Sequence, residues 1–188
     1  TAGLLKETVV ALYGDHDAGL ESADPEHKQR VLALAGYAGH DPQQERWVKI
    51  HLDRVPFFVI SPEANVHGDV PVVGGHVDIA PTLLYLLGLE PPRSFIGRPL
   101  LPTGSERVVV KPWGNAVSND RVFVTAGRNV PSGACFTLAS GDIVPPELCT
   151  ELALRARREW RGSELIVLHD LAWQIAGALT KNNPKRSN

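Results

Sequence analysis

The stretch Thr8-Val9-Val10-Ala11-Leu12-Tyr13-Gly14-Asp15-His16 sets the reading of this chain. Thr8 to Tyr13 is a short, apolar run rich in β-branched residues, the composition of a strand buried on both faces of a parallel sheet. Gly14 bounds it, and Asp15, His16 and Asp17 follow at once. Polar side chains just past the C-terminal end of a buried strand occupy the usual site position of open α/β sheets. A carboxylate and an imidazole at adjacent positions can face one ion only if the backbone turns there, and Gly14 permits that turn. Oxygen and imidazole ligands suit Mn²⁺, Zn²⁺ or Mg²⁺. An isolated Asp-His pair is also a common surface feature, so its neighbours in the chain decide its weight.

Downstream, Asp24-Pro25 and Asp41-Pro42 each carry a helix-start signature, an N-cap residue followed by proline at the first position. The first helix is expected to run to about Ala35, and the second carries Trp47, Ile50 and Leu52. Val55-Pro56-Phe57-Phe58-Val59-Ile60 is a second buried-strand candidate. Asn65 to His76 reads as a loop that holds His67 and His76. Asp78 to Gly88 reads as a helix, with Asp78 as its cap, Thr82 in a structural role beside it, and Gly88 as the C-terminal stop.

Beyond Leu101 the pattern changes. Arg107–Val110, Arg121–Thr125 and Ala134–Leu138 are short strands separated by turns. Pro145-Pro146 leads into a helix over Glu147–Trp160, Gly162-Ser163 is expected to break it, and Ser163 to cap a last helix. The fold class is therefore α/β. The expectation is part of a parallel or mixed sheet with helices on both faces over residues 1–101. A small antiparallel α+β subdomain follows over 102–180, and a polar tail over 181–188.

Composition narrows the function. In 188 residues, 19 basic and 21 acidic side chains leave a net charge of −2. A nucleic-acid partner would favour a basic stripe, and there is none. The apolar run Leu165 to Leu179 is shorter than the ~18 residues a membrane helix needs, and His169, Asp170 and Gln174 interrupt it. Cys135 and Cys149 are the two cysteines. They are a disulfide if the compartment is oxidising, or two buried thiols if it is not. The chain has no Met and begins Thr1-Ala2-Gly3, which points to a processed or excised piece of a longer protein.

The order of motifs adds a resemblance. Tyr13-Gly14-Asp15-His16, then Val55-Pro56-Phe57, then Gly74-Gly75-His76-Val77-Asp78-Ile79-Ala80-Pro81-Thr82-Leu83-Leu84 and Leu87-Gly88 resemble the C-terminal half of sulfatase-like proteins of the alkaline-phosphatase superfamily. The nearest branch is that of the phosphoglycerol transferases, including lipoteichoic-acid synthase. The resemblance extends over nearly the whole chain. It implies that Asp15 and His16 are two ligands of a catalytic divalent metal, Mn²⁺ first, with Mg²⁺, Zn²⁺ or Ca²⁺ as alternatives. The other implied ligands, an acidic residue and the nucleophilic Thr, match no segment here. They are expected upstream of Thr1, in the N-terminal half of the catalytic domain.

The implied reaction is phosphoglycerol transfer from a phospholipid head group to a glycan or glycerophosphate acceptor. The alternatives are a sulfatase or phosphatase on another anionic ester, and a non-catalytic binding module. The resemblance further implies an extracytoplasmic domain, anchored to the membrane by upstream helices, with this chain alone inactive and prone to self-association. This sequence departs from the branch at Asp17, where Gly or an aromatic is usual, and at His76, where Gln is frequent. His67 and His76 are the weak substrate-binding candidates, and a second metal involving them is a further possibility. Arg98 is read as exposed.

Overall fold

A computed structural model of the chain describes residues 3–17, 25–34, 36, 45–62, 67–101, 103–104, 106–127 and 132–181. Strand β1 (Val10–Tyr13) and strand β2 (Phe57–Ile60) form a two-stranded antiparallel ribbon, with Leu12 opposite Phe58 and Tyr13 opposite Phe57. Between them lie helices α1 (Pro25–Leu34) and α2 (Glu45–Leu52). The N-cap expectations at Asp24 and Asp41-Pro42, and the helix end at Ala35, lie outside the described residues.

The α/β class holds, but neither strand of this ribbon is buried on both faces. Cross-strand partners share a face in an antiparallel pair, and one face presents Leu12, Phe58 and Ile60, each more than half exposed. A continuous apolar run announces that both faces want cover, and says nothing about whether this chain supplies it. Among the described residues that cover is missing.

The main core is built on a five-stranded antiparallel sheet in the order β3-β4-β5-β6-β7. Its strands are Val108–Val110, Ala116–Ser118, Arg121–Thr125, Gly133–Thr137 and Ile143–Val144. Side chains alternate across a strand, so Val122 and Val124 point one way and Phe123 the other. On the first face α2 packs Trp47, Val48 and Ile50 against Val117, Val122, Val124 and Phe136. The Trp47 indole N–H donates to the Leu138 carbonyl at 3.1 Å. The ring lies so close to Gly141, itself at φ 73°, that a Cβ there would stand 2.6 Å from it.

On the second face helix α4 (Thr150–Leu168) packs Leu152, Ala153 and Ala156 against Ala116 and Phe123. Cys135 on β6 and Cys149, just before α4, are joined in a disulfide across 14 positions, which settles the two readings left open above.

Three local expectations are corrected. Strands β4 and β7 were not anticipated; at three and two residues they are too short to show a period. Helix α4 runs through Gly162-Ser163 instead of breaking there. A helical Gly costs only about 1 kcal/mol, and Arg161 reaches across it to Glu164 at 3.1 Å. The stop comes at Asp170, at φ 49°, where the Leu171 N–H bonds the Ile166 carbonyl at 3.0 Å. That is the left-handed helix ending usually supplied by Gly. Helix α5 (Ala172–Lys181) follows, so Ser163 caps nothing.

Helix α3 (Ile79–Leu86) ends as expected at Gly88, φ 70°, with the Leu89 N–H on the Leu84 carbonyl at 2.8 Å. Asp78 is the third correction: its carboxylate makes no cap bond into α3.

Candidate metal centre

Asp15 and His16 stand immediately beyond β1, as the chain leaves the ribbon. The Gly14 N–H donates to the Pro56 carbonyl at 3.1 Å, so ribbon pairing extends to the residue before the pair. Val55 lies tight against this Gly14, 3.1 Å from where a Cβ would be. The His16 Nδ1–H donates to the Asp17 carbonyl at 2.7 Å. That bond fixes the tautomer and leaves the Nε2 lone pair 3.7 Å from Asp15 Oδ1. A histidine whose second nitrogen is held by a backbone carbonyl is the arrangement metal-ligating imidazoles adopt. The same bond raises the His16 pKa above its ordinary value, and the Asp15 carboxylate adds in the same direction. Both side chains are open to solvent, 85% exposed for Asp15 and 81% for His16. The donor set thus fits a divalent ion of mixed oxygen and nitrogen preference. Among the described residues no group of three or more His, Cys, Asp or Glu could hold a metal, so the pair is not joined by further ligands.

His76 is brought to this site. The His76 Nε2–H donates to the Gly14 carbonyl at 2.8 Å, and its ring meets Tyr13 edge-on at 6.4 Å between centroids. His67 is exposed in its loop.

Behind His76 lies a latch whose central residue, Arg107, carries no sequence signal beyond preceding a Val-rich strand. The buried Arg107 guanidinium donates to three carbonyls, Val73 at 3.0 Å, Pro99 at 2.9 Å and Arg98 at 3.0 Å. It also sits 3.6 Å from the carboxylate of the buried Asp78. Asp78 accepts the Gly75 N–H at 3.0 Å and the Arg98 N–H at 2.8 Å. It therefore clamps the turn before α3 to the segment around Arg98, in place of capping the helix. Thr82 has a structural role as expected, donating to the Asp78 carbonyl at 2.6 Å and accepting the Leu100 N–H at 2.9 Å. The Arg98 side chain is exposed and donates to the Glu106 carbonyl at 3.3 Å.

An open cleft of about 260 Å³ lies elsewhere, between α2 and the five-stranded sheet, lined in part by Arg46, Lys49, Asp53 and Trp113. Lys49 and Lys111 both bond Asp53, at 3.2 Å and 2.7 Å. None of the sequence-derived site residues lines it.

Comparison with known proteins bears on the family. Residues 1–89 match the Sulfatase family model. Lipoteichoic acid synthase-like YvgJ of Bacillus subtilis is 27% identical over 173 residues, covering 90% of this chain and 26% of that protein. Lipoteichoic acid synthase 2 of the same organism is 34% identical over 89 residues, 47% of this chain and 12% of that protein. The chain thus spans about a quarter of the first of these relatives. The crystal structure of the lipoteichoic acid synthase LtaP from Listeria monocytogenes has the same fold at a TM-score of 0.60 and 22% identity, over 98% of this chain and 41% of that one. The chain is thus similar to the Sulfatase family over residues 1–89 and, over most of its length, to lipoteichoic acid synthase-like proteins.

Proposed function

We propose that Asp15 and His16 supply two ligands to a catalytic divalent metal, Mn²⁺ before Mg²⁺, Zn²⁺ or Ca²⁺, in a phosphoglycerol transferase. The observation that carries this reading is the His16 Nδ1–H bond to Asp17, which aims the Nε2 lone pair to the same side as the Asp15 carboxylate. When bound, such an ion polarises phosphoryl oxygens and lowers the pKa of a coordinated hydroxyl. Two protein ligands leave a six-coordinate ion largely hydrated and weakly held. The remaining ligands and the nucleophile therefore come from another segment of the catalytic domain, and the exposed Leu12, Phe58 and Ile60 face is where that segment packs. This chain alone is then inactive.

The reaction is transfer of a phosphoglycerol group from a phospholipid head group. A nucleophilic hydroxyl displaces the lipid alcohol at phosphorus, and an acceptor hydroxyl on a glycan or glycerophosphate then displaces the enzyme oxygen. The Cys135–Cys149 disulfide supports a location outside the cytoplasm, because such bonds persist in oxidising compartments. No helix among the described residues is long and apolar enough to cross a membrane, so attachment to the lipid surface would come from helices in another segment.

In the protein that carries the complete catalytic domain, Asp15→Ala and His16→Ala should each lower Mn²⁺-dependent release of diacylglycerol from phosphatidylglycerol. The loss should exceed the roughly 10- to 100-fold that outer-sphere partners carry. Turnover unchanged in Asp15→Ala would remove the ligand assignment.

A further inference from the structure

We propose that His76 is the positioning residue of the Asp15–His16 pair, acting through the carbonyl of Gly14. The proposal rests on the metal reading above, and the observations behind it are separate from that reading.

Asp15 and His16 are more than four-fifths exposed, so packing does little to orient their side chains. Their directions follow from the backbone they leave. The Gly14 carbonyl and the Asp15 N–H share one rigid peptide plane. Gly14 is held on both sides, each bond fixing a different peptide plane, and the His76 bond is the one that holds the plane leading to Asp15. The Gly14 N–H is held by Pro56 at 3.1 Å, and the Gly14 carbonyl by His76 Nε2–H at 2.8 Å, across 62 positions of sequence. The first bond belongs to the ribbon. The second comes from a different part of the fold and sets the rotation of the plane from which Asp15 departs.

The His76 end of the bond is firmly mounted. His76 opens the 3-10 turn His76–Asp78, whose Asp78 N–H returns to the Gly75 carbonyl at 2.9 Å. The Asp78 carboxylate holds the Gly75 N–H, and buried Arg107 holds Asp78 together with three carbonyls. Gly97 lies so near that a Cβ on it would overlap the Val77 carbonyl oxygen, so this turn has no room to shift. The Tyr13 ring stands edge-on to the imidazole, 6.4 Å between centroids. Polar contacts therefore run from Arg107 to Asp78 and from Asp78 to the Gly75 backbone, and the chain itself carries them to His76, which bonds Gly14. The His76 donor thereby joins the two sequence motifs. Spending Nε2–H on Gly14 also removes that nitrogen from the ligand set, which argues against a second metal held through it. A Gln at this position would offer an amide N–H of similar reach, so the donor is the property to test.

The test uses the full chain, isotopically labelled, with Mn²⁺ as the paramagnetic probe of amide signals. Wild type should lose the signals around Asp15 and His16 selectively. His76→Ala should need roughly tenfold more Mn²⁺ for the same loss, at an unchanged melting temperature, and His76→Gln should restore the wild-type titration. A His76→Ala chain that titrates like wild type, or a folded His76→Gln chain as weak as His76→Ala, overturns the proposal. Two metal-free measurements keep it apart from the metal reading. His76 should be the Nε2–H tautomer by long-range proton–nitrogen correlation, and His76→Ala should speed exchange of the Gly14 amide about tenfold. An Nδ1–H tautomer, or unchanged exchange, overturns the positioning role. Absence of selective broadening in wild type with both metal-free results as expected would overturn the metal reading and leave the tie to Gly14 standing.

Discussion

Single residues carry more of this structure than their exposure in the sequence suggests. Arg107 and Asp78 are a buried ionic pair with most of their hydrogen-bonding capacity filled. Removing one partner of such a pair costs about 3–5 kcal/mol, because the other charge is left buried. Arg107→Met should therefore lower unfolding stability by about that amount in urea titrations, and the double variant Arg107→Met/Asp78→Asn by less than the sum of the singles. Near-additive losses would mean the two side chains act independently. His51 offers a pH handle. Burial lowers its pKa, with Arg54 and Lys111 pushing the same way and the Leu138 carbonyl opposing. With the folded value below the unfolded 6.5, the unfolded chain takes up its proton first as pH falls. Stability from this group is complete above pH 6.5 and is lost as pH drops through that value toward the folded one. His51→Gln should flatten the stability slope in that acidic window. A slope identical to wild type would place its source elsewhere.

At the level of elements, what could be read from the sequence was whatever had local chemistry. Gly88 ends α3 as its left-handed preference dictates. The runs around Val122 and Phe136 became β5 and β6, whose alternating side chains feed the two faces of the sheet. The pair Asp15 and His16 was legible because Gly14 and a preceding apolar run mark the end of a strand. What could not be read depends on distant partners. The direction of β1 against β2 has no signature in two non-alternating runs. Arg107 and the role of His76 exist only once residues 73–107 fold back on themselves. Asp78 resembled a helix cap because cap and clamp call for the same residue type, and only the arrival of Arg98 and Arg107 separates them. The disulfide is likewise a long-range fact, tying β6 to the start of α4 across 14 positions. A closed loop of this size contributes about 3 kcal/mol. Reduction with dithiothreitol should lower stability by close to that amount, and an unchanged melting curve would show that the packing of Phe123 and Ala156 suffices without it.

For the whole molecule, the two sheets have different fates. The five-stranded sheet is covered by α2 on one face and α4 on the other. The ribbon that leads to Asp15 and His16 leaves Leu12, Phe58 and Ile60 open. Contiguous apolar patches of that kind mark a missing contact or a site of association. Sedimentation should show concentration-dependent self-association of this chain that Phe58→Lys weakens. A monomer at all concentrations would mean the face needs no cover. On the proposed reading the same incompleteness would weaken metal binding. Titration of the isolated chain with Mn²⁺, followed through the amide signals of residues 14–16, should show selective but weak binding in the millimolar range, abolished by Asp15→Ala. Micromolar binding, or broadening that Asp15→Ala leaves intact, would contradict a half-built site at Asp15 and His16.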